Sequence, residues 1–119
     1  MTSFSQGEYL LDGDLNLNIF EGVVIDGTYE SRAISPIEIK YEIRKFDSSN
    51  DTTGTLVGDE SRIPINPDVG RYYSNMVAPE DVGSYMIKWS YLRDNSSSVV
   101  DKTESFDILT KGIDSTYIN

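Results

Sequence analysis

The sequence predicts a single all-β domain, a sandwich or closed barrel of about seven to eight short antiparallel strands. Three observations predict it. Apolar and polar residues alternate with period two through much of the chain. Clusters of Gly, Pro, Asn, Asp and Ser interrupt the alternation at roughly regular spacing. Helical periodicity is hard to find, which argues against a parallel sheet with crossover helices. A length of 119 residues fits one domain with its own core. With 38% hydrophobic residues, that core must draw on Ile, Val, Phe and the eight Tyr, which suit pleated, half-buried strands.

The elements follow in order. Leu15, Leu17 and Ile19 alternate with Asn16 and Asn18, giving a strand with one wet face. Val23, Val24 and Ile25 come next, and Asp26-Gly27 makes a turn. After Pro36, the residues Ile37, Ile39, Tyr41 and Ile43 alternate with Glu38, Lys40, Glu42 and Arg44 in the cleanest period-two run of the chain. Residues 47–54 form a polar loop without core residues. Short strands are expected around 55–57 and 62–65, a turn over 66–70, and a strand over 71–77 that Pro79 ends. Tyr85, Ile87, Trp89 and Tyr91 share one parity, so this strand holds the centre of the core. A hairpin loop over 93–98 follows. In the last strand Val100, Phe106 and Ile108 point inward, while Lys102 and Glu104 fall where the strand leaves the core. The sandwich is expected over residues 9–109, between an N-terminal arm (1–8) and a polar C-terminal tail (110–119).

Asp81-Val82-Gly83-Ser84-Tyr85 has the form Asp-x-Gly-x-Tyr. It resembles the tyrosine corner of immunoglobulin-like domains, where the Tyr hydroxyl turns back onto the upstream backbone and the Gly permits the tight turn into the strand. Asp81, Gly83 and Tyr85 match that motif. The resemblance implies an immunoglobulin-like β-sandwich of about seven to eight antiparallel strands. Two departures stand out: Ile87 occupies the place of the family's second Cys, and Trp89 lies on this strand where the family's core Trp lies on an earlier one. A wider pattern runs Gly70-Arg71-Tyr72-Tyr73, Ala78-Pro79-Glu80, then Gly83 through Trp89, and closes on Phe106-Asp107-Ile108. Over residues 15–108 it looks like the small immunoglobulin-like structural proteins of tailed bacteriophages, found on heads, necks or tails.

Composition narrows the chemistry. The chain has neither Cys nor His, so disulfides, thiolate chemistry and the commonest general base and metal ligand are all missing. A net charge of −10 argues against nucleic acid or an anionic membrane surface as partner. It reads as a solubilising charge, or as an acidic surface that docks on a basic partner. Asp12-Gly13-Asp14-Leu15-Asn16 opens like a calcium loop, but Leu17 stands where such loops need Gly and Val23 where they need Glu. Asp47, Asn50 and Asp51 are a second group of oxygens in one loop. Glu80-Asp81 sits at a turn, where carboxylates cap and solvate. No phosphate-binding glycine loop occurs. Residues 1–8 lack the basic and apolar segments of a signal peptide, and no apolar run reaches membrane-spanning length.

The expectation is therefore a protein that is not an enzyme, binds no cofactor or metal, and is made in a host cytoplasm as a virion component. Decoration, neck and tail-accessory roles all fit. Its partners would be capsid, portal, neck or tail proteins, with homo-oligomers inside the particle as a further option. Phe4, Tyr72, Tyr117 and Ile118 are the expected partner contacts, and Trp89 is the expected core aromatic. A carbohydrate- or receptor-binding module is the alternative, because one ring of the Tyr72-Tyr73 pair must face outward.

Overall fold

A computed structural model describes residues 2–48, 50–58, 62–95 and 98–110. Every strand or helix among them is a strand: β1 (Thr2–Ser5), β2 (Asn16–Asn18), β3 (Phe20–Ile25), β4 (Thr28–Ala33), β5 (Glu38–Lys45), β6 (Thr55–Leu56), β7 (Ile65–Asp68), β8 (Arg71–Tyr73), β9 (Gly83–Leu92) and β10 (Val100–Leu109). They form a five-stranded sheet in the order β1-β10-β9-β5-β6, a three-stranded sheet β2-β8-β7, and a separate hairpin β3-β4. Side chains of the two larger sheets and their flanking segments meet in one buried cluster, an arrangement consistent with a β-sandwich.

The alternation in β9 decides the core. Tyr85, Ile87, Trp89 and Tyr91 are all buried, while Ser84, Met86, Lys88 and Ser90 face away. Antiparallel register sets Tyr41 and Ile43 of β5 opposite Trp89 and Ile87, and Phe106 of β10 opposite Tyr85. The Tyr41 and Trp89 rings lie 5.3 Å apart, and Tyr85 stacks on Phe106 at 5.6 Å. Each such ring contributes about 1.5–3 kcal/mol through burial. Lys102 lies opposite Trp89 and Glu104 opposite Ile87, the first exposed and the second half-buried.

The second sheet supplies the other wall. Leu17 pairs with Tyr72, and Leu15 and Ile19 on the same parity are buried. Beyond β8 the same alternation continues through Ser74, Met76 and Ala78, all buried. That stretch pairs back with residues 8–10 through Leu10 N–H to Met76 O (2.9 Å) and Ala78 N–H to Glu8 O (2.7 Å).

Several expectations are corrected. Thr2–Ser5 is no free arm: β1 lies parallel to β10, from Thr2 opposite Phe106 to Ser5 opposite Leu109. The cause is Phe4, whose ring packs edge-on against Phe106 at 5.8 Å and is only 7% exposed. This pairing also departs from the all-antiparallel expectation. Val23-Val24-Ile25 is one half of a hairpin, whose other half, Thr28–Ala33, is a strand that the sequence pattern does not predict. The strand expected at 62–65 begins instead at Ile65 and takes in Asn66 and Pro67, leaving Val69-Gly70 as the turn.

Candidate functional site

The β3–β4 hairpin leaves the body between the buried Ile19 and the half-buried Ile34, which close its base through Ile34 N–H to Ile19 O (3.0 Å). Its tip is Asp26-Gly27, with φ of 51° and 78°. Two successive left-handed residues fit a two-residue turn whose twist matches the strands, and Gly carries the second at no steric cost. The base is locked by Gly70 (φ 69°) in the β7–β8 turn. A Cβ there would lie 2.7 Å from Ile19 O and 2.8 Å from Ile34 O, so the hairpin root sits where only glycine leaves room. Glu21 accepts hydrogen bonds from Arg32 (3.3 Å) within the hairpin and from Arg93 (2.8 Å) in the β9–β10 connection.

The register separates the hairpin's two faces. Phe20–Ala33, Gly22–Ser31 and Val24–Tyr29 are opposed pairs on one face; Glu21–Arg32, Val23–Glu30 and Ile25–Thr28 lie on the other. The first face is apolar and bare: Val24 is 71% and Tyr29 73% exposed, and Phe20 is exposed as well. Tyr29 folds across the strand over Gly22, occupying the space a Cβ there would need. The second face carries the charge. A two-stranded ribbon in water is marginally stable, and an exposed apolar surface on one makes it a candidate contact site.

A second apolar surface lies at the same end. A cleft of about 420 Å³ is lined by Ile37, Ile39, Ile63, Tyr91, Leu92 and Val99, with Glu38, Lys40 and Ser90 at its polar margin. Ile37, Ile63 and Val99 are exposed, Ile63 by 75%. The end therefore combines the hairpin, the β7–β8 turn and the β9–β10 connection.

The residues singled out in the sequence distribute differently. The Tyr85 hydroxyl donates to the Asp81 carbonyl oxygen (2.6 Å), and Gly83 at the start of β9 has φ 149°. Burial, with the Asp81 charge beside it, holds the Tyr85 hydroxyl above its ordinary pKa. Trp89 is buried at the centre of the core. Phe4 and Tyr72 are corrected as contacts: Tyr72 is 5% exposed, its ring turned inward opposite Leu17, and Phe4 serves the core as described above. Tyr117 and Ile118 lie outside the described residues, as does the expected tail from residue 111 onward.

The oxygen-rich loops spend their groups locally. Asp14 accepts from Leu11 N–H (2.7 Å), Asn16 accepts from Gly13 N–H (2.7 Å) and donates to Asp12 (2.8 Å), and Asp12 also pairs with Arg71. Asp51 accepts from the N–H groups of Gly54, Asp47 and Thr53, which together hold its carboxyl below the ordinary value. Among the described residues no group of three or more Asp, Glu, His or Cys side chains gathers to hold a metal. No helix among them is long and apolar enough to cross a membrane.

Sequence reasoning missed the hairpin as a contact surface. The available signal was Asp26-Gly27 followed by Thr28-Tyr29-Glu30-Ser31-Arg32-Ala33, where Thr28, Glu30 and Arg32 alternate with the less polar Tyr29, Ser31 and Ala33. No family model matches the chain, no curated protein matches it, and no solved structure matches its fold.

Proposed function

We propose that this chain is a non-enzymatic structural protein of a tailed-phage particle, acting through protein–protein contacts made by its hairpin-bearing end. One observation carries the reading: a regular β-hairpin, packed closely on Gly70 at its root and linked to the β9–β10 connection by the Glu21–Arg93 ion pair, holds a bare apolar face away from the core. Such a surface costs solubility in a free monomer, and it gains only when another protein covers it.

The strand order supports an immunoglobulin-like assignment. In this reading β10, β9, β5 and β6 are strands G, F, C and C′, with β1 added parallel beside G, and β2, β8 and β7 are B, E and D. The hairpin then replaces the B–C connection, and the F–G connection lies beside it, at the end where immunoglobulin variable domains place their binding loops. The virion setting comes from the resemblance to small phage structural proteins. With it come capsid, portal, neck or tail proteins as partners, and synthesis in the host cytoplasm.

The test is incorporation. Purified chain is mixed with particles assembled without it, and the bound copy number is measured by quantitative mass spectrometry. A fixed number matching a symmetry of the particle is expected. The charged variant Phe20→Asp should abolish uptake while leaving the fold intact by circular dichroism. A chain that ignores such particles overturns the role. The carbohydrate-binding alternative would rest on Tyr73, which is half-buried and faces opposite to the buried Tyr72, and on exposed rings such as Tyr9 and Tyr29.

A further inference from the structure

We infer that two copies of the chain pair through this end, each laying the apolar face of its hairpin into the cleft of the other. The inference rests on the reading of the hairpin as a contact organ, and adds what covers it. Hairpin and cleft belong together physically. β4 ends at Ala33 and the cleft begins at Ile37, so a few residues connect them. The Glu21–Arg93 ion pair ties the hairpin to the connection that also carries Val99. Two surfaces held in fixed relation at one end are compatible with a twofold axis, in which each contact is made twice.

Size points the same way. A six-residue strand pair has a small footprint, roughly 20 Å by 10 Å on one face, beside stable interfaces that bury ~800 Å² of accessible surface per partner. Hairpin docked on hairpin alone falls short. Reciprocal seating brings each copy's cleft into the contact along with its hairpin, and so engages Ile37, Ile63 and Val99 together with Phe20, Val24 and Tyr29.

One pair of charges favours the seat. Lys40 lines the cleft and makes no ion pair among the described residues, and the hairpin's tip carboxylate Asp26 makes none either. In the reciprocal pair the tip of one copy reaches the cleft margin of the other. Glu38 at the same margin opposes this, and the net charge of −10 per copy repels at long range. The dimer should therefore be sought at about 0.15 M salt or above, where repulsion beyond ~8 Å is screened.

Sedimentation equilibrium of the full chain over a concentration series tests the pairing. A reversible monomer–dimer equilibrium is expected. Val24→Asp on the hairpin and Ile63→Asp in the cleft should each weaken it by about tenfold or more, with circular dichroism and urea midpoint unchanged because both side chains are largely exposed. Mixing the two variants should restore pairing above that of either alone, since a mixed pair retains one intact hairpin and one intact cleft facing each other. An Ile63→Asp protein that dimerises like wild type, or a mixture without rescue, overturns the seat. A wild-type monomer at millimolar concentration overturns the dimer. If the hairpin of that monomer is then protected from hydrogen exchange only on particles, a different virion protein covers it, and the role in the particle survives the loss of the dimer.

Discussion

Replacing Tyr85 separates what its ring does from what its hydroxyl does. The ring is fully buried, stacked on Phe106 with an interplanar angle of 16°, and Lys45 Nζ stands 5.9 Å from its centroid. Truncating a buried aromatic to Ala costs about 3–5 kcal/mol, the lost transfer energy plus the cavity left behind. That is a large share of the ~5–15 kcal/mol that holds a domain of this size. The hydroxyl makes one hydrogen bond, to the carbonyl of an exposed residue, Asp81. In Tyr85→Phe, water reaches the freed carbonyl, so the loss should be about 1 kcal/mol. Urea unfolding followed by Trp89 fluorescence reads both. With a slope of ~1–3 kcal/mol per molar, Tyr85→Phe moves the midpoint slightly and Tyr85→Ala moves it far or unfolds the chain. If Tyr85→Ala costs under ~1 kcal/mol, the aromatic is not a keystone and the corner assignment fails.

Other perturbations probe the remaining parts. Gly70→Ala should cost about 1–3 kcal/mol, because its left-handed φ and the carbonyls of Ile19 and Ile34 leave no room for a methyl group; thermal unfolding checks this, and an unchanged midpoint would mean the hairpin root is loose. Phe4→Ala should cost about 3 kcal/mol and release β1, seen as faster hydrogen exchange along residues 106–109; unchanged exchange there would show that the strand pairs without its anchor. Tyr29→Ser should change stability by no more than about 0.5 kcal/mol, since the ring is exposed; a larger loss would make the hairpin part of the folding core. Burial raises the Glu104 carboxyl above its ordinary pKa, with the Thr2 hydrogen bond opposing. The fold thus favours the protonated form, and stability present below the unfolded pKa is lost as pH rises through the folded value. Glu104→Gln should therefore stabilise the chain near pH 7 and change nothing near pH 3; equal effects at both would exclude titration as the cause.

What the sequence revealed, and what it hid, follows from where each segment gets its energy. β5 and β9 were legible because each is half-buried along its whole length, and that condition writes itself into the sequence as alternation. The corner was legible because its hydrogen bond closes over four residues, from Tyr85 to Asp81. β1 was not, since Thr-Ser-Phe-Ser has a single apolar residue and its pairing depends on Phe106, about a hundred positions away. Tyr72 and Tyr73 had to face opposite ways, but which one turned inward was set by a register with Leu17 that neither residue encodes. The hairpin misled for the opposite reason. Val23-Val24-Ile25 has the composition of a buried strand, and composition cannot tell a surface hidden by the chain's own fold from one hidden by a second molecule. A run that looks like core yet lies outside the core is informative for that reason. The hairpin's Phe20, Val24 and Tyr29 are exposed, and they lie at the same end as a second exposed apolar surface, the Ile37–Ile63–Val99 cleft.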